Sequence, residues 1–175
     1  MSFETAGENL IDRMTRGVYD AAKTLMKESL VLCPLSDETT YIAGWGTSWR
    51  TINGRRVHFD DDEPPIVGDE GTLRRSARVF PPVRSGDRVE VTVGYGFGEE
   101  RNPAGRLAGE YAVPVHEKAE LRHTPPEQSH YLLDPLLAFG GQYGQIVAEK
   151  TKESGPNPSG ETLAVVEGKD LMEAA

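Results

Sequence analysis

Residues 6–33 repeat their apolar side chains at three-, four- and seven-residue intervals, and Pro34 ends the pattern. Leu10, Met14, Val18, Ala21, Leu25 and Leu32 make the stripe, with Ile11, Ala22 and Met26 widening it. Asp12, Arg13, Arg16, Asp20, Lys23 and Lys27 supply the wet face. The spacing predicts one amphipathic helix about 40 Å long at 1.5 Å per residue. A helix of that kind needs an apolar surface to lie on, so the rest of the chain must provide one. Thr5-Ala6-Gly7-Glu8 reads as a capping box at its start, and the residue before Pro34 is steered out of the helical region. Gly17 lowers helix propensity by about 1 kcal/mol relative to Ala, which points to a kink or a close packing contact.

The surface is expected from a small sheet. Leu73, Ala77 and Val79 alternate with Arg74, Ser76 and Arg78, a half-buried strand opening at Gly71, with Arg75 interrupting its apolar face. Pro81-Pro82 and Ser85-Gly86-Asp87 read as a loop. Val89, Val91, Val93 and Tyr95 then alternate with Arg88, Glu90, Thr92 and Gly94, and the two strands should pair antiparallel. Gly94–Gly109 reads as a flexible glycine-rich loop. Pro114 keeps Tyr111–Glu117 out of a central strand, and one helical turn fits it equally. Asp134-Pro135 reads as an N-cap followed by Pro at the first helical position. It opens a helix carrying Leu136, Leu137, Phe139, Tyr143, Ile146 and Val147, weakened by Gly140-Gly141.

Two stretches stand outside this plan. Residues 35–70 read as an insertion built on a hairpin: Trp49–Ile52, an Asn53-Gly54 type I′ turn, then Arg55–Phe59. Asp60-Asp61-Asp62-Glu63-Pro64-Pro65 follows, which no sheet interior would accept. From Glu153 the composition is linker-like, ending in Leu163-Ala164-Val165-Val166, a segment for a partner to order. The expected fold class is α+β: a long N-terminal helix and a C-terminal helix packed on a small, mainly antiparallel sheet. A single domain spans 1–152 with the 35–70 insertion, and 153–175 extends as a tail.

At 175 residues the chain is long enough to bury a core without disulfides. Cys33 is its one cysteine, no apolar run reaches the roughly 18–20 residues of a membrane span, and Met1-Ser2-Phe3-Glu4 lacks signal-peptide character. These features predict folding in a reducing cytoplasm, away from membranes. The net charge of −9 argues against a grip on nucleic acid, which relies on Lys and Arg at phosphates. The small basic pairs Arg55-Arg56 and Arg74-Arg75 read as solvated strand ends.

No residue set points to catalysis, a cofactor or a metal. His58, His116, His123 and His130 lack HExxH spacing, and one Cys cannot build a structural zinc site, so surface or interface histidines are expected. Asp60–Glu63 lacks the alternation, glycine and distal Glu of a calcium loop. Gly94-Tyr95-Gly96-Phe97-Gly98 has the glycines of a phosphate loop, but no Gly-Lys-Ser/Thr follows, and Glu99-Glu100 would repel phosphate. There is no GxSxG elbow, and Cys33 fits a small buried position at a helix end.

The order of elements resembles the siphophage neck and tail-completion proteins, to which minor tail protein Z of phage lambda is related. The resemblance rests on Cys33-Pro34 after the long helix, Gly71-Thr72-Leu73-Arg74-Arg75-Ser76, the Val89–Tyr95 strand, Tyr111–Glu117, and Tyr131-Leu132-Leu133-Asp134-Pro135-Leu136-Leu137 leading the last helix. It covers residues 6–34 and 71–150. Residues 35–70 are longer than the corresponding part of the family, and the stretch past 153 has no counterpart.

The resemblance implies a virion protein assembled in the host cytoplasm, a ring with six- or twelve-fold symmetry at the joint between head portal and tail. Its partners would be other copies, the connector or stopper proteins, and tail-tube or terminator proteins, with DNA passing without specific binding. Tyr41, Trp45, Trp49, Phe59, Phe97, Tyr111 and Val115 are the candidate assembly-interface residues, the aromatic insert facing outward. A tail terminator is the neighbouring reading. A small hydrolytic enzyme with its site under the 94–110 loop, or a cellular peptide-binding module, are readings of another class.

Overall fold

The computed structural model describes residues 3–34, 48–52, 55–59, 71–101, 107–117, 129–153 and 163–173. The apolar repeat forms α1, Phe3–Leu32, about 45 Å at the helical rise. The helix begins ahead of Thr5, which therefore lies inside it; the capping box does not mark its start. Burial is concentrated in its second half, on Tyr19, Ala21, Ala22, Leu25, Met26, Ser29 and Leu30, with Cys33 just beyond. The last helix, Leu133–Lys152, runs back along α1 in the opposite direction: Tyr143 donates to Glu28, while Gly17 lies against Val147 and Lys150. A Cβ on Gly17 would stand 2.9 Å from the Val147 Cα, so this glycine serves close packing. Leu10 and Met14, expected in the apolar stripe, are exposed, because they lie beyond the stretch where that helix crosses α1.

Between them the chain forms β1 (Ser48–Ile52), β2 (Arg55–Phe59), α2 (Thr72–Arg75), β3 (Arg78–Val79), β4 (Val83–Ser85), β5 (Arg88–Glu90), β6 (Val93–Gly94) and α3 (Ala108–Glu117). The last helix is α4, followed by β7 (Val166–Glu167) and α5 (Gly168–Glu173). This is an α+β fold. The insert hairpin has the expected register, with Ile52 opposite Arg55 and Ser48 opposite Phe59; Asn53 and Gly54 lie outside the described residues.

The core sheet is shorter and more broken than the alternation predicts. Gly71–Ser76 does not open a strand: Gly71 takes φ 77° and leads into a helical turn, and only Arg78–Val79 is extended. The turn wins because it satisfies its own backbone, Arg75 N–H donating to Gly71 O and Ser76 N–H to Thr72 O. The predicted antiparallel pairing holds, Arg78 opposite Gly94 and Val79 opposite Val93. The loop expected at 81–87 is itself partly paired, Val83 opposite Glu90 and Ser85 opposite Arg88, closed by Gly86 at φ 64°. Pro81 and Pro82 lack the N–H groups a continuous ladder needs, so the ribbon divides into two short pieces. Residues 94–101 are packed rather than loose: Gly96 adopts φ 80°, and a Cβ there would stand 2.7 Å from the Gly109 Cα. Tyr111–Glu117 lies within helix α3. At α4 the cap position is Leu132, without a side-chain cap bond, so Asp134-Pro135 falls in the first turn, where a missing N–H is tolerated.

The largest departure is at the C-terminus. Residues 163–173 are not an extended tail. Val166–Glu167 pairs with the free edge of β3, giving the order β6-β3-β7. Gly168 N–H donates to Ala77 O at 2.9 Å, and α5 buries Leu171 against Tyr19, Ala22, Met26, Leu30, Ala77 and Val79. Leu163 and Val166 flank that cluster, and Tyr19 donates to Ala164 O. The chain's own core orders this segment.

A Cβ on Gly168 would stand 2.1 Å from Arg74 O, a backbone clash. Gly168→Ala is expected to lower unfolding free energy by about 1–3 kcal/mol in a urea titration. Gly7, in α1 with open space around it, should tolerate Ala with no loss and a gain of up to about 1 kcal/mol. Parent-like stability for Gly168→Ala would mean that α5 does not seat on α2.

Candidate functional site

The densest set of polar contacts gathers where α1 ends. The last carbonyls of a helix lack intrahelical donors, and Cys33 just past α1 has the same need. Arg74 meets it with a two-pronged donation, Nε at 2.8 Å and Nη2 at 2.6 Å from Cys33 O. Arg74 is thus no solvated strand end: the Gly71 turn aims it at α1. Leu73 from the same turn packs with Cys33, Ala112 and Tyr131. Ser76 donates its hydroxyl to Leu73 O at 2.6 Å and accepts from Gly96 N–H at 2.9 Å. Six consecutive residues therefore tie α1, α3 and the β6 side of the sheet together.

From there a chain of side chains runs to the α3–α4 junction. The Ser29 and Tyr95 hydroxyls are 2.8 Å apart. Tyr95 meets Tyr131 edge to face at 4.9 Å, and Tyr131 donates to Ala112 O at 3.3 Å. His116 packs edge to face on Tyr131 at 4.9 Å and on His130 at 5.5 Å. Its Nδ1 is 2.7 Å from Glu117 Oε1, while His130 Nε2 is 3.9 Å from the other oxygen. His130 takes φ 54° and donates its N–H to His116 O at 2.8 Å. His116, expected at the surface or at an interface, is largely inside.

What this cluster can do is limited by its protonation and access. Burial, the largest cause, pushes the Tyr95 and Tyr131 phenols well above the ordinary tyrosine range, with Cys33 adding to both. Tyr143 is raised by burial and then by its bond to Glu28. All three phenols stay neutral donors near pH 7 and supply no phenolate. His116 Nε2 is buried without a hydrogen-bond partner among the described residues. Among the described residues no group of three or more His, Cys, Asp or Glu side chains is arranged to hold a metal ion. The contacts of this cluster link α1, α2, α3 and the start of α4.

The expected interface residues fall in separate places. Phe97 packs edge to face on Phe80, centroids 4.8 Å apart. Tyr111 and Val115 lie half-buried on α3 against the cluster around Tyr131. Trp49 and Phe59 sit in β1 and β2, opposite His58 and Ser48; Tyr41 and Trp45 lie outside the described residues. The sequence reading missed a different surface. Leu133, Leu136 and Leu137 on α4 are exposed, Leu137 at 73%, beside Gly140, Gly141 and Gly144, around which there is open space. A signal existed, since α4 carries two apolar stripes: Pro135, Phe139, Tyr143 and Ile146 follow one line, Leu133 and Leu137 another. α1 covers the Tyr143 and Ile146 part of the first line, while Phe139 on that line stays exposed like Leu133 and Leu137. No helix among the described residues is long and apolar enough to cross a membrane.

Comparison with protein-family models, curated proteins and solved structures finds no match for this chain.

Two outcomes test the joint. Ser29→Ala should cost about 1–3 kcal/mol by leaving the Tyr95 hydroxyl without that partner, and adding Tyr95→Phe should cost little more; independent, additive losses in denaturant titrations would contradict the pairing. The raised phenols also set a pH dependence. Above about pH 10 the unfolded chain loses tyrosine protons that the folded chain keeps, so stability falls as pH rises past that value. Absorbance titration should show Tyr95, Tyr131 and Tyr143 ionising only with unfolding, and three freely titrating phenols at those positions would refute it.

Proposed function

We propose that this chain is a structural component of a phage neck, present in several copies where the head portal joins the tail, with DNA passing alongside. The observation that carries the reading is the order of elements: a long first helix ended by Cys33-Pro34, the Gly71–Ser76 motif, an antiparallel ribbon, the Tyr111–Glu117 element and a last helix. That order is the one the siphophage family shares. The packing of α4 along α1, with the sheet against α1, supports the helix-and-sheet architecture the resemblance implies. The joint at Arg74, Ser76 and Tyr131 supports reading the motif residues as architectural.

Two physical properties favour the role. The charge of −9 leaves little counterion release to gain from phosphates, so DNA slides past such a chain without sticking. Exposed leucines on α4 are surface of the kind that association covers.

Deleting the gene from a phage that carries it should leave full heads beside unattached tails of normal length in electron micrographs. Overlong tubes would assign the chain to tail termination instead. Normal infectious particles, or a gene with no portal, capsid or tail-tube genes beside it, would overturn the proposal.

A further inference from the structure

We draw no further inference here: the strongest candidate, the exposed apolar face of α4 at Leu133, Leu136 and Leu137, is a surface patch for which nothing among the described residues shows what covers it.

Discussion

Between Gly17 and Cys33, α1 is covered from three directions, and the rest of the structure depends on that burial. Tyr19, Ala22, Met26 and Leu30 meet β3 and α5. Ala21 and Leu25 meet Tyr143 on α4. Cys33 meets Leu73, Ala112 and Tyr131. A fully buried Leu or Met side chain contributes about 1.5–3 kcal/mol, so this half of one helix carries a large part of the core. The sheet could not stand without it. β3, β6 and β7 have two residues each, far below what lets an isolated ribbon persist in water. They hold because Ala77 and Val79 are wholly buried against the helix.

The part of this arrangement visible from the chain alone is the part governed by short-range periodicity. A 3.6-residue repeat sustained over many turns has few competing explanations, and α1 follows it. Gly17 was open between a kink and a close contact; the approach of Val147 decides for contact. The Gly71–Val79 stretch shows the limit. Alternating apolar and polar residues fit a strand, but Leu73 and Ala77 are also four apart, which fits a helical turn. Gly71 at positive φ, together with the donors and acceptors of Arg74 and Ser76, tipped the balance through partners in α1 and beside β6. No local pattern reports those partners.

The place of the C-terminal segment was misjudged for a related reason. Leu163–Val166 is too short and too isolated by proline and glycine to declare a fold, and its place is set by the edge of β3 nearly ninety residues earlier in the chain. Phe97, Tyr111 and Val115 stood out because aromatic and branched residues beside glycine and proline look unassigned. Phe80 and the Tyr131 cluster give them neighbours within the chain. Periodicity found the leucines of α4 but could not say which of two stripes would be covered.

That second stripe follows from how α4 is held. Gly140, Gly141 and Gly144 each weaken a helix by about 1 kcal/mol relative to Ala, and no side chain caps its start. Its stability must come from packing, through Pro135, Tyr143, Ile146 and Val147 along α1. Bare glycines help nothing on the inner side, where the close approach is supplied by Gly17 of α1 instead. They lie where an added Cβ would meet nothing within 4 Å among the described residues. A change on the inner stripe must disturb the fold, since among the described residues α4 has no other anchor of comparable size. A change at the exposed Leu133 or Leu137 leaves α1 holding the helix in place.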